Sequence, residues 1–419
     1  NCSKVPFRVF EETFAKNNLK QVFKLSTLDS IGYKDCPMGF RAAAGILAYI
    51  WETLKEGFPT FEKIEVYKIT QYVAMDSSTI KNLELLETLR EKKKYGSLLW
   101  ALDRTSTNMG ARLLKTWLCQ PLKDIKEIRG RQNIVKTIAD NTETRQKIVS
   151  NLKNIYDIQR LSTRLSNTSA NPRDFLSLKQ SLAFVPELVK AVDSLGLNIF
   201  EPVRDNLDGL NDLYDCLERT IREDAPAQIK EGGIIKREVS GELDYFQDLL
   251  DNGEDWLKNF EQKEKETTGI NTLKTGYNKV YGYYIEVTNS NLSKVPMNYV
   301  RKQTITSGER FITQELKTHE DEVLTAQVKA YELEYKLFNE LRNYSKEFVA
   351  TIRMLADCVA KLDVLTSFAV MAKERAYICP ELDESGDFIV KNGRHPVLEQ
   401  VLPFGTYVAN DIEDRKSVV

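Results

Sequence analysis

The chain has 419 residues, 42% of them hydrophobic and 29% charged. That length asks for two to four folded units, and that composition excludes a disordered chain. With 59 Lys and Arg against 61 Asp and Glu the net charge is −2, which excludes a generally basic nucleic-acid binder and leaves local segregation of charge as the only route to a polyanion.

No run approaches 18 apolar residues, so no membrane-spanning helix is expected, and the N-terminal residues carry no secretory pattern, so a cytoplasmic protein is the expectation. Cys2, Cys36, Cys119, Cys216, Cys358 and Cys379 are far apart and never form Cys-x-x-Cys. Neither zinc nor a disulfide framework is expected from them, only reduced and mostly buried thiols. His319 and His395 are the only histidines, too few for histidine-based metal or acid–base chemistry.

In chain order, Phe40, Ala44, Leu47, Trp51 and Leu54 fall at steps of four and three, which predicts a helix with those residues on one buried face. Asp76 or Ser77 is placed to cap a helix carrying Ile80, Leu83, Leu86 and Leu89, and Asn171-Pro172-x-Asp174 reads as N-cap, N1 proline and N3 acid. Helices are expected almost throughout residues 76–225. After Gly232-Gly233, the stripe Val239, Leu243, Phe246, Leu250, Leu257 and Phe260 predicts one long coiled-coil-like helix. Leu316, Val323, Ala330, Leu337 and Tyr344 recur every seven residues and predict a second, and the two should pack antiparallel.

Residues 270–306 are different in kind, rich in Tyr, Val, Ile, Thr and Gly, which favour extended structure. Tyr281, Tyr283, Ile285 and Val287 alternate with Gly282, Tyr284 and Glu286, Asn289-Ser290-Asn291 supplies a loop, and Val300–Thr306 is a returning strand that ends at Ser307-Gly308. The fold class is therefore mainly α: a helical core, long antiparallel helices, and a small β-rich tip.

Charge follows the same division. From Ile270 to Arg310 six cations, Lys274, Lys279, Lys294, Arg301, Lys302 and Arg310, meet only Glu286 and Glu309, whereas from Glu238 to Thr268 ten acids meet three lysines. An acidic stem under a basic tip suits phosphate oxygens contacted without base reading. Three or four neutralised phosphates would give a log–log salt slope of about −3 to −4. Charge alone equally describes a solvated face or the tip of a coiled-coil scaffold that meets an acidic protein.

Several segments together resemble the MutS family of DNA mismatch-repair ATPases. Met75-Asp76-Ser77-Ser78-Thr79-Ile80 and Ser97-Leu98-Leu99-Trp100-Ala101-Leu102-Asp103-Arg104-Thr105, continuing through Met109-Gly110-Ala111-Arg112 to Trp117-Leu118 and Pro121-Leu122, are similar to the family's core domain. Leu273-Lys274-Thr275-Gly276-Tyr277-Asn278-Lys279-Val280-Tyr281-Gly282-Tyr283-Tyr284-Ile285-Glu286-Val287 and Tyr299-Val300-Arg301-Lys302-Gln303-Thr304 resemble its clamp. Arg41-Ala42-Ala43-Ala44-Gly45 resembles the later part of its connector, and Asn392-Gly393-Arg394-His395-Pro396 with Tyr407-Val408-Ala409-Asn410-Asp411 the entrance of its ATPase domain.

The resemblance implies a division into the end of an α/β connector (1–65), a core and lever region (66–235), a clamp (236–339) with its β-rich tip near 270–310, a returning lever helix (340–377), and the start of an ATPase domain (378–419). It further implies that Arg301, Lys302 and Ser307 contact the backbone of double-stranded DNA, with Lys274, Asn278, Gln303, Thr304 and Arg310 as neighbours. No G-x-x-x-x-G-K-[ST] segment occurs, so this chain is expected to be non-enzymatic and to hold no cofactor. ATP and Mg, homodimer formation and a MutL-type partner are what the resemblance implies for full-length members, this chain being expected as a monomer or a weakly paired one. Tyr407 stands where the family approaches adenine. The Phe10-Glu11-Glu12 match to the family's mismatch-reading Phe-x-Glu lacks its surrounding domain and is read as chance.

Overall fold

The computed structural model describes residues 6–23, 28, 36–54, 61, 64, 71–167, 169–278, 282–385, 387–403 and 405–414. Near the start, α1 (Glu12–Val22) packs Ala15 and Leu19 against Phe40, Ala44 and Leu47 of α2 (Pro37–Thr53). The predicted face of α2 is thus buried for its first turns. Trp51 and Leu54, expected on the same buried face, are exposed, because they lie beyond the stretch that α1 covers. No strand occurs among the described residues of 1–65.

α3 (Ser77–Asn82) is capped by Asp76, whose carboxylate accepts the Thr79 N–H at 2.7 Å. The expectation that this helix would carry Leu86 and Leu89 is corrected. Glu84 adopts φ 48, which turns the chain out of the helix, and its carboxylate then accepts the Leu89 N–H at 2.6 Å. Helices resume with α4 (Leu98–Leu102), α5 (Asn108–Cys119), α6 (Ile125–Asp140), α7 (Thr142–Leu152) and α8 (Ile158–Ser166). Asp124 caps α6 through the Lys126 and Glu127 N–H groups, and Asp157 caps α8 through that of Arg160.

α9 (Pro172–Ala183) opens as the sequence predicts: Asn171 Oδ1 accepts the Asp174 N–H and Asp174 Oδ2 accepts the Asn171 N–H, both at 2.9 Å. This reciprocal pair satisfies two N–H groups that a helix start otherwise leaves open. α10 (Val185–Ser194) and α11 (Leu207–Thr220) follow. The long helix expected after Gly233 is two helices, α12 (Gly241–Asp251) and α13 (Gly253–Thr268), interrupted at Asn252; Ser240 caps the first, so Val239 precedes it. Gly269, at φ 67, ends α13 in the left-handed conformation that glycine adopts without strain.

Four strands come next: β1 (Lys274–Asn278), β2 (Gly282–Thr288), β3 (Val300–Ile305) and β4 (Gly308–Ile312). They form one antiparallel sheet in the order β1-β2-β4-β3. Ser307-Gly308, expected to end the strand region, is instead part of a tight turn between β3 and β4. The Asn289-Ser290-Asn291 loop is a turn of 3-10 helix. α14 (Gln314–Lys346) runs 33 residues, about 50 Å at 1.5 Å per residue. It lies antiparallel to α12 and α13: Gln247 Nε2 donates to Glu334 at 3.4 Å, and Lys263, farther along, pairs with the earlier Glu315 at 2.8 Å.

α15 (Val349–Glu374) is separated from α14 by a break at Glu347-Phe348. It is buried on most of its circumference and packs against α5, α6 and α8. Such a helix is the centre of a core, and a sequence stripe cannot mark it because there is no polar face. Its Asp363, 1% exposed, accepts the N–H groups of Ser106 and Thr107 at 2.8 Å and the Thr107 hydroxyl at 2.7 Å. Thr107 in turn caps α5. β5 (Phe388–Gly393), α16 (Leu398–Val401) and β6 (Asn410–Asp414) are the last elements among the described residues, β5 and β6 pairing antiparallel.

Two compact units result: residues 1–170, 177–215 and 345–419, and residues 171–176 and 216–344. Of the described cysteines only Cys358 is buried, where burial pushes its thiol up to about 11; Cys379 is exposed and the others are half-buried. The expectation of mostly buried thiols is corrected to that extent. No described helix is long and apolar enough to cross a membrane.

Candidate nucleic-acid interface

The sheet of the second unit holds every candidate phosphate-contacting residue, so its two faces decide what each can reach. One face is core. Ile285, Val287 and Phe311 pack with Ile270, Leu273 and Tyr299 onto Phe260 of α13 and Leu316 of α14. Tyr283, on the same face, lies beside His319, which stacks on Trp256 at 3.5 Å between ring centroids. Tyr283 and Ile285 are therefore packing residues, as alternation predicts; Tyr281 and Lys279 lie outside the described residues.

Stem acids fasten this sheet. Glu261 of α13 accepts the Thr275 N–H at 2.7 Å, the Thr275 hydroxyl at 3.0 Å and the Lys265 ammonium at 2.6 Å. Burial alone would raise its pKa, but Lys265 and the Thr275 donors outweigh it and hold the carboxyl below its usual range. Glu264 accepts the Tyr299 hydroxyl, and burial together with that carboxylate keeps the phenol protonated far above its ordinary pKa.

On the opposite face the register aligns one residue from each strand. Lys274 is paired with Glu286, Glu286 with Arg310, and Arg310 with Gln303. Arg310 donates from Nε to Glu286 at 3.2 Å and from Nη1 to Gln303 at 3.1 Å, and its guanidinium carbon sits 4.2 Å from the Tyr284 ring centroid. Two of its donors and its flat face are thus already engaged. Gln303 is half-buried beside it.

β3 is an outer strand, and there the candidates differ. Arg301, Lys302 and Thr304 are exposed, as is Ser307 in the following turn. The pairing with β4 shifts between Arg301 and Gln303, so Lys302 is an extra residue without an opposite number. A bulge of this kind re-aims side chains at a sheet edge and lets neighbouring residues depart from strict alternation. Arg301 Nη1 lies 3.0 Å from Glu309, with the arginine side chain 62% exposed. Gly308 closes the turn where a Cβ would come within 2.1 Å of the Val287 carbonyl oxygen, so only glycine lets β4 approach β2 there.

Lys274 and Asn278 lie on β1, the other outer strand. With β2 and β4 between them, the two edges are about 14 Å apart at normal strand spacing. The structure therefore brings Arg301, Lys302, Thr304 and Ser307 together and separates Lys274 and Asn278 from them. Among the described residues of 270–310, five cations meet Glu286 and Glu309, so a positive surplus persists. Glu309 is the residue that sequence reasoning missed; the signal was its diagonal cross-strand relation to Arg301, visible only once β4 is recognised.

At the far end of the chain, the Tyr407 hydroxyl accepts the His395 N–H at 2.8 Å, and Arg394 donates to the Arg375 carbonyl at 2.8 Å and pairs with Glu399. These contacts hold the segment around β5 and β6 together and tie it to the end of α15.

Residues 78–369 match the family model described as MutS domain III. The chain is similar to the DNA mismatch repair protein MutS of Lachnoclostridium phytofermentans, 43% identical over 393 residues that make up 94% of this chain and 42% of that protein. It is similar to that of a Geobacillus species, 43% identical over 87% of this chain and 43% of the relative, and to that of Clostridium perfringens, 38% identical over 98% and 44%. The chain spans less than half the length of these relatives.

Proposed function

We propose, for a chain that belongs to the MutS family of DNA mismatch-repair proteins, that β3 and the turn after it contact the sugar-phosphate backbone of duplex DNA without reading its sequence. The observation that carries this is the exposure of Arg301, Lys302, Thr304 and Ser307 on one outer strand, with a bulge at Lys302. Arg301 is available despite its pair with Glu309, because the arginine end of the pair faces solvent, 62% exposed, and screening there keeps it within the roughly 0–1 kcal/mol of surface pairs even though the Glu309 side chain is only 17% exposed. A phosphate oxygen can therefore replace the carboxylate. Lys274 and Asn278, on the other outer strand, act as peripheral contacts, while Gln303 and Arg310 serve the sheet.

On this reading residues 236–339 form the clamp, 66–235 and 340–377 the core and lever region, 1–65 the end of a connector, and 378–419 the start of an ATPase domain. The helices α12 to α14 transmit motion to the sheet in the longer proteins. ATP with Mg, homodimer formation and a MutL-type partner belong to those longer proteins. Tyr407 would stand near adenine there, and this chain, lacking a phosphate-binding glycine loop, turns over no nucleotide itself.

A second reading has its own observation. Leu324, Val328, Tyr331 and Tyr335 form an exposed apolar stripe along α14 at helical spacing, which suits a scaffold that docks a protein. Fluorescence anisotropy with labelled duplex over a salt series separates the two. We expect salt-sensitive binding that Arg301→Ala with Lys302→Ala weakens equally for matched and mismatched duplexes. Binding that is absent at low salt, or insensitive to salt, favours the scaffold, and loss confined to the mismatched duplex contradicts backbone contact.

A further inference from the structure

A cavity of about 410 Å³ opens in the first unit where α5, α6, α8 and α15 meet, lined among others by Arg112, Trp117, Arg131, Gln159, Asp357 and Lys361. Its size is within the range used by small-molecule ligands. Its charge is unbalanced. Arg112 is neutralised by Asp157, to which it donates two hydrogen bonds at 2.7 and 2.9 Å, and it also holds the Gln159 side-chain oxygen at 2.7 Å.

Arg131 has no such partner. Its guanidinium carbon lies 3.5 Å from the Trp117 ring centroid, and among the described residues it makes no ion pair or side-chain hydrogen bond; Glu127, one turn away, acts on it only at a distance. Stacking occupies the flat face of a guanidinium and leaves its in-plane N–H donors open. Burial lowers the Arg131 pKa, as expected for a cation whose lost hydration is only partly compensated. Lys361 adds a second cation to the lining, and Asp357 is the one acid in it.

The geometry points to a phosphate-binding site in this cavity, held by the in-plane donors of Arg131 and the Lys361 ammonium, with the Gln159 amide beside them. The ligand is a phosphate group, either free or borne on an ester of nucleotide size. A planar arginine fork matches two oxygens of a tetrahedral oxyanion, and a half-buried position strengthens that contact relative to water. The site is distinct from the proposed DNA-contacting strand, which belongs to the other unit.

The test is calorimetric titration of the whole chain with inorganic phosphate, adenosine monophosphate and adenosine at constant ionic strength. Saturable binding of one phosphate in the millimolar range is expected. Arg131→Gln should weaken it at least tenfold and Lys361→Gln severalfold, whereas Asp357→Asn should tighten it severalfold, a gain that misfolding cannot imitate. Arg301→Gln should leave it unchanged. Tighter binding of the monophosphate than of phosphate assigns an ester ligand, and equal binding assigns free phosphate. Adenosine binding as well as the monophosphate, no saturable phosphate binding, or loss on Arg301→Gln overturns the site.

Discussion

Arg310 and Lys302 carry the same charge eight residues apart and differ in everything else. Arg310 spans Glu286 and Gln303 and covers Tyr284, a geometry that a lysine point charge cannot copy. Arg310→Lys should therefore cost about 1–2 kcal/mol of stability, measured by urea unfolding, whereas Lys302→Ala should stay within about 0.5 kcal/mol and weaken DNA binding instead. Equal losses from both would mean that the cross-sheet row does not hold the strands. A count of charges treats the two cations alike, which is why sequence placed both beside phosphate; the register tells them apart. The same holds for Glu334, which sequence places on a helix and which is 3% exposed, accepting the Gly233 N–H at 2.8 Å and the Ile234 N–H at 3.3 Å. Burial raises its pKa above 4.5 against the pull of those N–H groups. The folded state then keeps a proton that the unfolded state releases, so stability falls as pH rises from about 4.5 through the folded pKa and stays low above it. Glu334→Gln should flatten this decline in melting temperature; parallel curves for variant and parent would refute the assignment.

At the scale of elements, caps and one-sided helices were legible and tight turns were not. Asn171-Pro172-x-Asp174 announces α9 because the capping groups are local in sequence. Leu316 and Ala330, both buried on α14, were legible too, yet the buried face also takes in Ala326, Glu334 and Phe338, and Val323 and Leu337 are only half-buried. β4 was missed because Ser307-Gly308 has the composition of a terminator, whereas here it is a turn that returns the chain. Gly308 tests that account. A methyl group there would meet the backbone oxygen of Val287, and backbone cannot yield as a flexible side chain can. Gly308→Ala should cost about 1–3 kcal/mol and raise amide exchange along β2 and β4. Gly241→Ala is the control: nothing lies within 4 Å of its added Cβ at the start of α12, so it should stabilise by about 0.5–1 kcal/mol. If both substitutions are neutral, the close approach of β2 and β4 is not what fixes this turn.

For the chain as a whole, a net charge of −2 tells little about what the sheet can bind. At physiological ionic strength charges are screened over about 8 Å, and α14 alone is about 50 Å long. Among the described residues, the sheet and its turns answer to their own balance of five cations against two acids. With Arg310 committed to Glu286, the described cations proposed to meet phosphate are Lys274, Lys294, Arg301 and Lys302. Four such contacts would keep the log–log salt slope near −3 to −4. Glu309 is the acid that opposes them most directly, through Arg301. Glu309→Gln removes its charge while retaining an oxygen for the arginine. Affinity for duplex DNA should then rise a few-fold at low salt, and the slope should steepen by less than about 1, since one carboxylate no longer competes with phosphate. The unfolding midpoint should barely move, because glutamine keeps an oxygen for Arg301 and a pair with a solvent-exposed arginine contributes about 0–1 kcal/mol. If affinity falls instead while the fold is intact, Glu309 positions Arg301 for the backbone rather than competing for it.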